Sequence, residues 1–264
     1  MFVDDISAFA FASKSFAARS IFVIYHLPDI PKGNIKNLMV RNFFFKKLKY
    51  AKKIITISPY WHDYVLERGI KSRIIFSCYN EKEIQNVRSK EREGLRNKFG
   101  FDKDIIYIYA GQCVPEKGIE EVTYNLQNHH MQVVTSGFKE LHIQTMHFFL
   151  DPSEYFELMR ACDIGIFNST LNEGWNINAM ECILSGTPAL IKNHCGMGDL
   201  LRISGQIELK MKEIKEQVEY LYNHREKYAG IGWDNLKDFT FNTFKNKWLE
   251  VYKEVCNLSN LSSL

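Results

Sequence analysis

Glu173 and Glu181 stand with seven residues between them in the segment NSTLNEGWNINAMECILSGTPALI, residues 168–191. The segment reads as a strand over Ile164–Asn168, a loop holding Glu173 and Gly174, and a helix. The helix starts near Asn176 or Asn178, either of which offers a capping oxygen. Gly186 ends it, and Pro188 blocks its continuation before the next strand. At ~100° per residue, Ile177, Met180 and Leu184 form one apolar stripe, with Glu181 about 40° from Ile177. A carboxylate bordering a buried face is unfavourable unless something binds it. The alternative is a side chain that reaches past the stripe into solvent.

A second chemical segment is IIYIYAGQCVPEKGIEEV, residues 105–122, which reads as strand, loop and helix start. Lys117 stands beside the helix N-terminus, where a cation opposes the helix dipole. The placement makes sense with an anion between the two. As a surface residue Lys117 would instead pair with Glu116, Glu120 or Glu121.

Taken together, the two segments resemble retaining glycosyltransferases of family 4. The first is similar to that family's E-x7-E signature with its glycine and its Gly-Thr-Pro helix end; the second is similar to its Lys-Gly element. The resemblance implies that Glu181 accepts hydrogen bonds from the two vicinal ribose hydroxyls of a nucleotide. Glu173 would hold hydroxyls of the transferred sugar. The backbone amides of Gly174, Trp175, Asn176 and Ile177 would meet the diphosphate together with Lys117. The family places an Arg where this chain has Gln112. A neutral amide brings about 1 kcal/mol per hydrogen bond against roughly 1.5–3 for a charged one. Leaving-group stabilisation is therefore expected to be roughly ten- to a hundredfold weaker in rate if nothing compensates. His26, after a strand and before Pro28, stands where the family has a His near the donor sugar; a His satisfied within its own loop is the alternative. The catalytic candidates are Glu173 and His26.

The implied activity is transfer of a hexose from a UDP-, GDP- or ADP-linked sugar to an acceptor glycan, lipid or protein, with retention. The nucleotide sugar is a substrate, and no further cofactor and no metal is implied. A weak or inactive nucleotide-sugar-binding subunit of a larger assembly is the alternative, supported by Gln112.

The elements that must position these residues alternate between strand and helix. Strands are expected at Ser20–Tyr25, Lys53–Ile57, Arg73–Ser77, Ile105–Ala110, Met131–Ser136, His147–Leu150, Ile164–Asn168 and Pro188–Ile191. Their continuous apolar character suits parallel strands buried on both faces. Two further helices carry start signals: Ser58 with Pro59, and Asp151 with Pro152. The fold class is α/β, GT-B-like, with two Rossmann-like doubly wound domains. By resemblance, residues 8–86 match only the second half of the family's first domain, with no counterpart of its first strands before residue 8. The first domain is thus expected to be shortened, spanning 1–86 and joined by a C-terminal helix over about 240–264 that crosses back. The donor domain spans 87–239, with the hinge placed in the charged stretch 82–104.

Composition excludes several classes. Hydrophobic residues make up 45% and charged residues 25% of the 264, with a net charge of +3. This is an ordinary globular balance, too mild for a nucleic-acid partner. Six scattered cysteines form no CxxC pair or metal spacing, which suggests a reducing compartment. Asp4 and Asp5 stand where a signal peptide has its positive charge, and no apolar run approaches the ~20 residues that span a bilayer. A cytoplasmic protein is expected. The basic, aromatic stretch RNFFFKKLKYAKK, residues 41–53, reads first as a helix packing Phe44 and Leu48 on the sheet. Its alternatives are contact with an anionic membrane surface and contact with a second chain, as a homodimer or a partner subunit, through Phe43, Phe45 and Tyr50.

Overall fold

The computed structural model describes residues 1–27, 35–127 and 130–256. Pro28 and the 257–264 end of the expected C-terminal helix lie outside them. The chain divides into two compact units. The first comprises Met1–Cys78, Asn172–Trp175 and the segment from Asn242; the second comprises Tyr79–Leu171 and Asn176–Phe241.

The first unit runs β1 (Phe2–Val3), α1 (Ile6–Phe11), α2 (Lys14–Ala17), β2 (Ile21–Ile24), α3 (Ile35–Leu48), β3 (Lys53–Thr56), α4 (Pro59–Leu66) and β4 (Arg73–Ile74). Its four strands are parallel in the order β1-β2-β3-β4. Period-two alternation sorts the strand residues between two cores. Phe22 and Ile24 pack with Phe9, Phe44, Leu48 and Trp61 on one face. Ile21, Val23, Ile55 and Ile75 meet Val251 on the other. A two-residue strand that the sequence reading did not place precedes residue 8: Phe2 and Val3 pair with Ile21 and Phe22. Two residues are too few to show any period. Ser58 precedes α4 and Pro59 opens it, but the Ser58 side chain makes no capping bond and its buried hydroxyl is unpartnered.

The second unit runs α5 (Glu81–Arg88), α6 (Arg92–Lys98), β5 (Ile106–Tyr109), α7 (Ile119–Asn125), β6 (Met131–Ser136), β7 (Met146–Phe148), α8 (Pro152–Ala161), β8 (Ile164–Phe167), α9 (Ile177–Leu184), β9 (Ala189–Ile191), α10 (Cys195–Ser204), β10 (Ile207–Glu208), α11 (Ile214–Asn223) and α12 (Arg225–Leu236). The last helix, α13 (Phe241–Cys256), carries Val251 back into the first unit. The six strands are parallel in the order β10-β9-β8-β5-β6-β7. Ile108, Ile166 and Leu190 pack with Ile119 and Val122 of α7 and Val218 and Leu221 of α11. On the other face Tyr109 meets Phe167 and Tyr155 of α8. Asp151 precedes α8, again without a side-chain capping bond.

Residues 82–104, where the hinge was expected, lie within the second unit and form α5 and α6. A buried carboxylate explains why. Asp163, at the start of β8, accepts from Arg92 at 2.5 Å and Arg96 at 2.9 Å, and from the backbone N–H of Tyr107 at 2.8 Å. The charged residues of this stretch are thus the bonds that tie α6 to the sheet. Removing the charge from Asp163 leaves Arg96 buried and uncompensated. Asp163→Asn should therefore lower the free energy of unfolding by about 3 kcal/mol or more, read from urea denaturation; a change under about 1 kcal/mol would show that α6 is held by other contacts.

Candidate functional site

In the second unit, β5 and β8 are neighbours, while the strands beyond them are reached in opposite directions. The crevice at the C-terminal ends of β5 and β8 is the topological switch point, the usual ligand position in open α/β sheets. Two loops leave from there. After β5 the chain turns at Gly111 (φ 81°), passes Gln112 and enters a 3-10 turn, Pro115–Lys117, closed by Gly118 at φ 65°. Gly118 has no substitute: a Cβ would stand 2.6 Å from both Nδ2 and the carbonyl O of Asn168. Asn168 in turn donates to the Glu121 carboxylate at 2.9 Å, and the Glu116 carbonyl accepts from the backbone N–H of Thr170 at 2.8 Å. The Lys117 turn is thereby fastened to the end of β8. Sequence reasoning missed this clamp. Its signal was the asparagine that ends β8, facing the glycine that follows Lys117. Gln112 is exposed and lies beside Gly137.

α9 carries the second acid. Asn176 is its cap, with the side chain accepting from Ala179 N–H at 2.9 Å, and Asn178 lies within the helix. Met180 and Leu184 are fully buried, but Ile177 is exposed. The expected stripe thus begins at Met180, because Ile177 is the first helical residue and precedes the turn that faces the sheet. Glu181 is half-buried beside this face. Burial alone pushes its carboxyl up from the ordinary 4.5 to about 7. Its charge also adds to the upward push on the buried Tyr155 phenol. A group of this kind, desolvated without a compensating cation, marks a place where a ligand's hydroxyls would serve as donors.

The other candidates belong to the first unit. His26 is exposed just beyond β2, two residues after Ile24. The loop Asn172–Trp175 lies directly on this turn. Asn172 donates to the Leu27 carbonyl at 3.5 Å, and Trp175 is buried with its ring 4.9 Å from Phe76. A Cβ on Gly174 would lie 1.6 Å from the Tyr25 carbonyl oxygen and 2.6 Å from Ile57. No side chain fits there. Glu173, half-buried, and His26 therefore flank the same stretch of backbone around Tyr25. Trp175 is a core residue whose side chain is committed to packing, so only its backbone is left for a ligand. Among the described residues, no group of three or more His, Cys, Asp or Glu is placed to hold a metal ion.

The model of a family described as "Family 4 Glycosyltransferase in conflict systems" matches residues 117–226. This span holds Lys117, Glu173 and Glu181. No curated protein sequence matches the chain. Among solved structures, a sucrose-phosphate synthase from Thermosynechococcus elongatus superposes with a TM-score of 0.76 at 14% identity, over 91% of this chain and 69% of that one. HepE of Anabaena in complex with UDP gives 0.74 at 15% identity, over 96% and 78%. A glycosyltransferase from Rickettsia africae gives 0.70 at 17%, over 91% and 71%.

Two outcomes test the site's physics. Because the folded-state pKa of Glu181 lies above 4.5, the protonated form favours folding, and that contribution is lost as pH rises through 7. Glu181→Gln should therefore raise the thermal midpoint of the ligand-free protein by a few degrees at pH 8 and leave it nearly unchanged at pH 5. An equal shift at both pH values would mean that the carboxyl is not strained by burial. Gly174→Ala should lower the thermal midpoint and strip protection from the Tyr25–Leu27 amides in hydrogen exchange. Unaltered exchange would show that the loop adjusts without leaving the turn.

Proposed function

We propose, taking as premise the GT-B glycosyltransferase fold and a donor-side segment of family 4 type, that this chain transfers a hexose from a nucleoside-diphosphate sugar to an acceptor hydroxyl with retention of anomeric configuration. The observation that carries the reading is Glu181: a carboxylate desolvated beside a packed helix face, eight positions after Glu173, in a segment matched by the family. Two vicinal ribose hydroxyls offer it the paired donors that the protein does not. Lys117, fastened at the switch point, and the amides at the start of α9 suit the diphosphate. Glu173 and His26 suit the hydroxyls of the sugar. In the reaction the bond between the anomeric carbon and the diphosphate oxygen breaks, and the diphosphate leaves with the electron pair. The acceptor oxygen bonds to the same face of the sugar, and its proton passes to the departing phosphate. Positive charge at Lys117 lowers the barrier by neutralising the leaving group. HepE has been solved with UDP and with UDP-glucose, so uridine donors are the first to test here.

A second reading rests on Gln112, which is exposed and neutral where charge would stabilise the leaving group. In it the chain binds nucleotide sugar but transfers weakly or not at all, as a subunit of a larger assembly.

Both readings meet one experiment: thermal shift with UDP, GDP and ADP and their sugars, followed by donor hydrolysis. Lys117→Ala and Glu181→Ala should each abolish nucleotide-dependent stabilisation, while the remote, exposed Lys103→Ala retains it. Gln112→Arg should tighten nucleotide binding about fivefold or more and raise any turnover. Binding without hydrolysis selects the second reading. Absence of stabilisation by every nucleotide overturns both.

A further inference from the structure

α3 is apolar on two opposite sides. Phe44 and Leu48 are fully buried in the core of the first unit. Ile35, Leu38, Met39 and Phe43 are exposed, Ile35 by 69%. At ~100° per residue these four occupy an arc of about 140°, centred opposite Phe44 and Leu48. Phe11, at the end of α1 and 70% exposed, extends the stripe, its ring 6.1 Å from that of Phe43. Phe45 is partly buried against Phe44 and Tyr64, so it belongs to the fold and not to the outward face. A contiguous apolar stripe of this kind marks a surface that meets something other than water.

Charge identifies what it meets. From Ile30 to His62 the sequence has eight Lys or Arg and no Asp or Glu. Beside the stripe lies a groove of about 760 Å³ walled by Lys14, Lys46, Lys47, Lys49, Tyr50 and Arg68, with no carboxylate in its lining. Lys14 Nζ sits 4.9 Å from the Tyr50 ring and the Arg68 guanidinium 3.7 Å from that of Tyr64, so rings help to hold the cations in place. Glu67 comes within 4.0 Å of Arg68 but lines no part of the groove. A second copy of this chain would bring another set of cations against the first, which opposes a homodimer through this face. A nucleic acid would use the cations and the aromatic rings but leave Ile35, Leu38 and Met39 without a role. An anionic lipid surface uses all of them, with phosphates on the cations and the aliphatic residues at the acyl boundary. No helix among the described residues is long and apolar enough to cross a membrane.

We infer that the outward face of α3, with Phe11, docks this protein on an anionic phospholipid surface, headgroup phosphates entering the Lys/Arg groove. The contact lies wholly within the first unit and is independent of the donor chemistry.

Flotation with vesicles of 30% phosphatidylglycerol in phosphatidylcholine tests it on the full chain, against phosphatidylcholine alone. Binding is expected on the anionic vesicles only, weakening steeply between 50 and 300 mM salt. The triple variant Lys46→Glu, Lys47→Glu, Lys49→Glu should bind at least a hundredfold more weakly, at about fivefold per neutralised cation. Met39→Gln with Phe43→Gln should lose the binding that survives at high salt while keeping its thermal midpoint, since both side chains are exposed. The inference is overturned by absence of binding to the anionic vesicles, by equal binding of the triple variant, or by a short single-stranded oligonucleotide that binds the same face and displaces the vesicles. A dimer in light scattering that Phe43→Glu dissolves would overturn it too.

Discussion

A side chain at position 174 has nowhere to go. The loop after β8 passes so close to the turn after β2 that a single Cβ would overlap the Tyr25 carbonyl, and this contact sets where Glu173 and His26 stand. The packing of Trp175 against Phe76 and the bond from Asn172 to Leu27 hold the loop down on either side of the glycine. Gly118 is the corresponding constraint in the second unit, where Asn168 leaves no room beside the Lys117 turn. In both places the role of glycine is close approach of backbone, and a polar residue is positioned as a result.

Glu181 shows the opposite economy. Its position beside the packed face of α9 costs stability whenever it is ionised, and nothing in the described chain offsets that cost with a cation. A helix chosen for stability alone would carry a neutral residue there. A ligand that donates paired hydrogen bonds to the carboxylate would relieve that strain, so part of the affinity for such a ligand is built into the fold.

Much of this was legible in the sequence. The parallel strands announced themselves as apolar runs, and Asn176, Gly186 and Pro188 bounded α9 by local chemistry that needs no tertiary context. The misplacement of Glu181 at the edge of an apolar stripe was visible from helical angles alone. What escaped was non-local or too short. β1 and β10 have two residues each, below any readable period. The stretch 82–104 looked like a solvated linker because its arginines were charged, whereas Arg92 and Arg96 find Asp163 some seventy residues away. Ser58 and Asp151 occupy helix starts as expected without making the bonds that usually favour them there. The outward stripe of α3 was legible only in part: Phe43 was named as a contact, whereas the exposed Ile35, Leu38 and Met39 precede the basic, aromatic stretch that drew the eye, and Phe45 turned inward.

The first unit is assembled from three separate stretches of chain, and the last of them matters for synthesis. Ile21, Val23, Ile55 and Ile75 share a core with Val251, so that face of the sheet stays open until α13 has been made. During translation the residues of the first unit emerge early and yet finish late, waiting through the whole of the second unit. A ribosome carrying a nascent chain of some two hundred and thirty residues would therefore display an uncovered β-sheet face, with β1 at its margin, as a target for chaperones or for premature association.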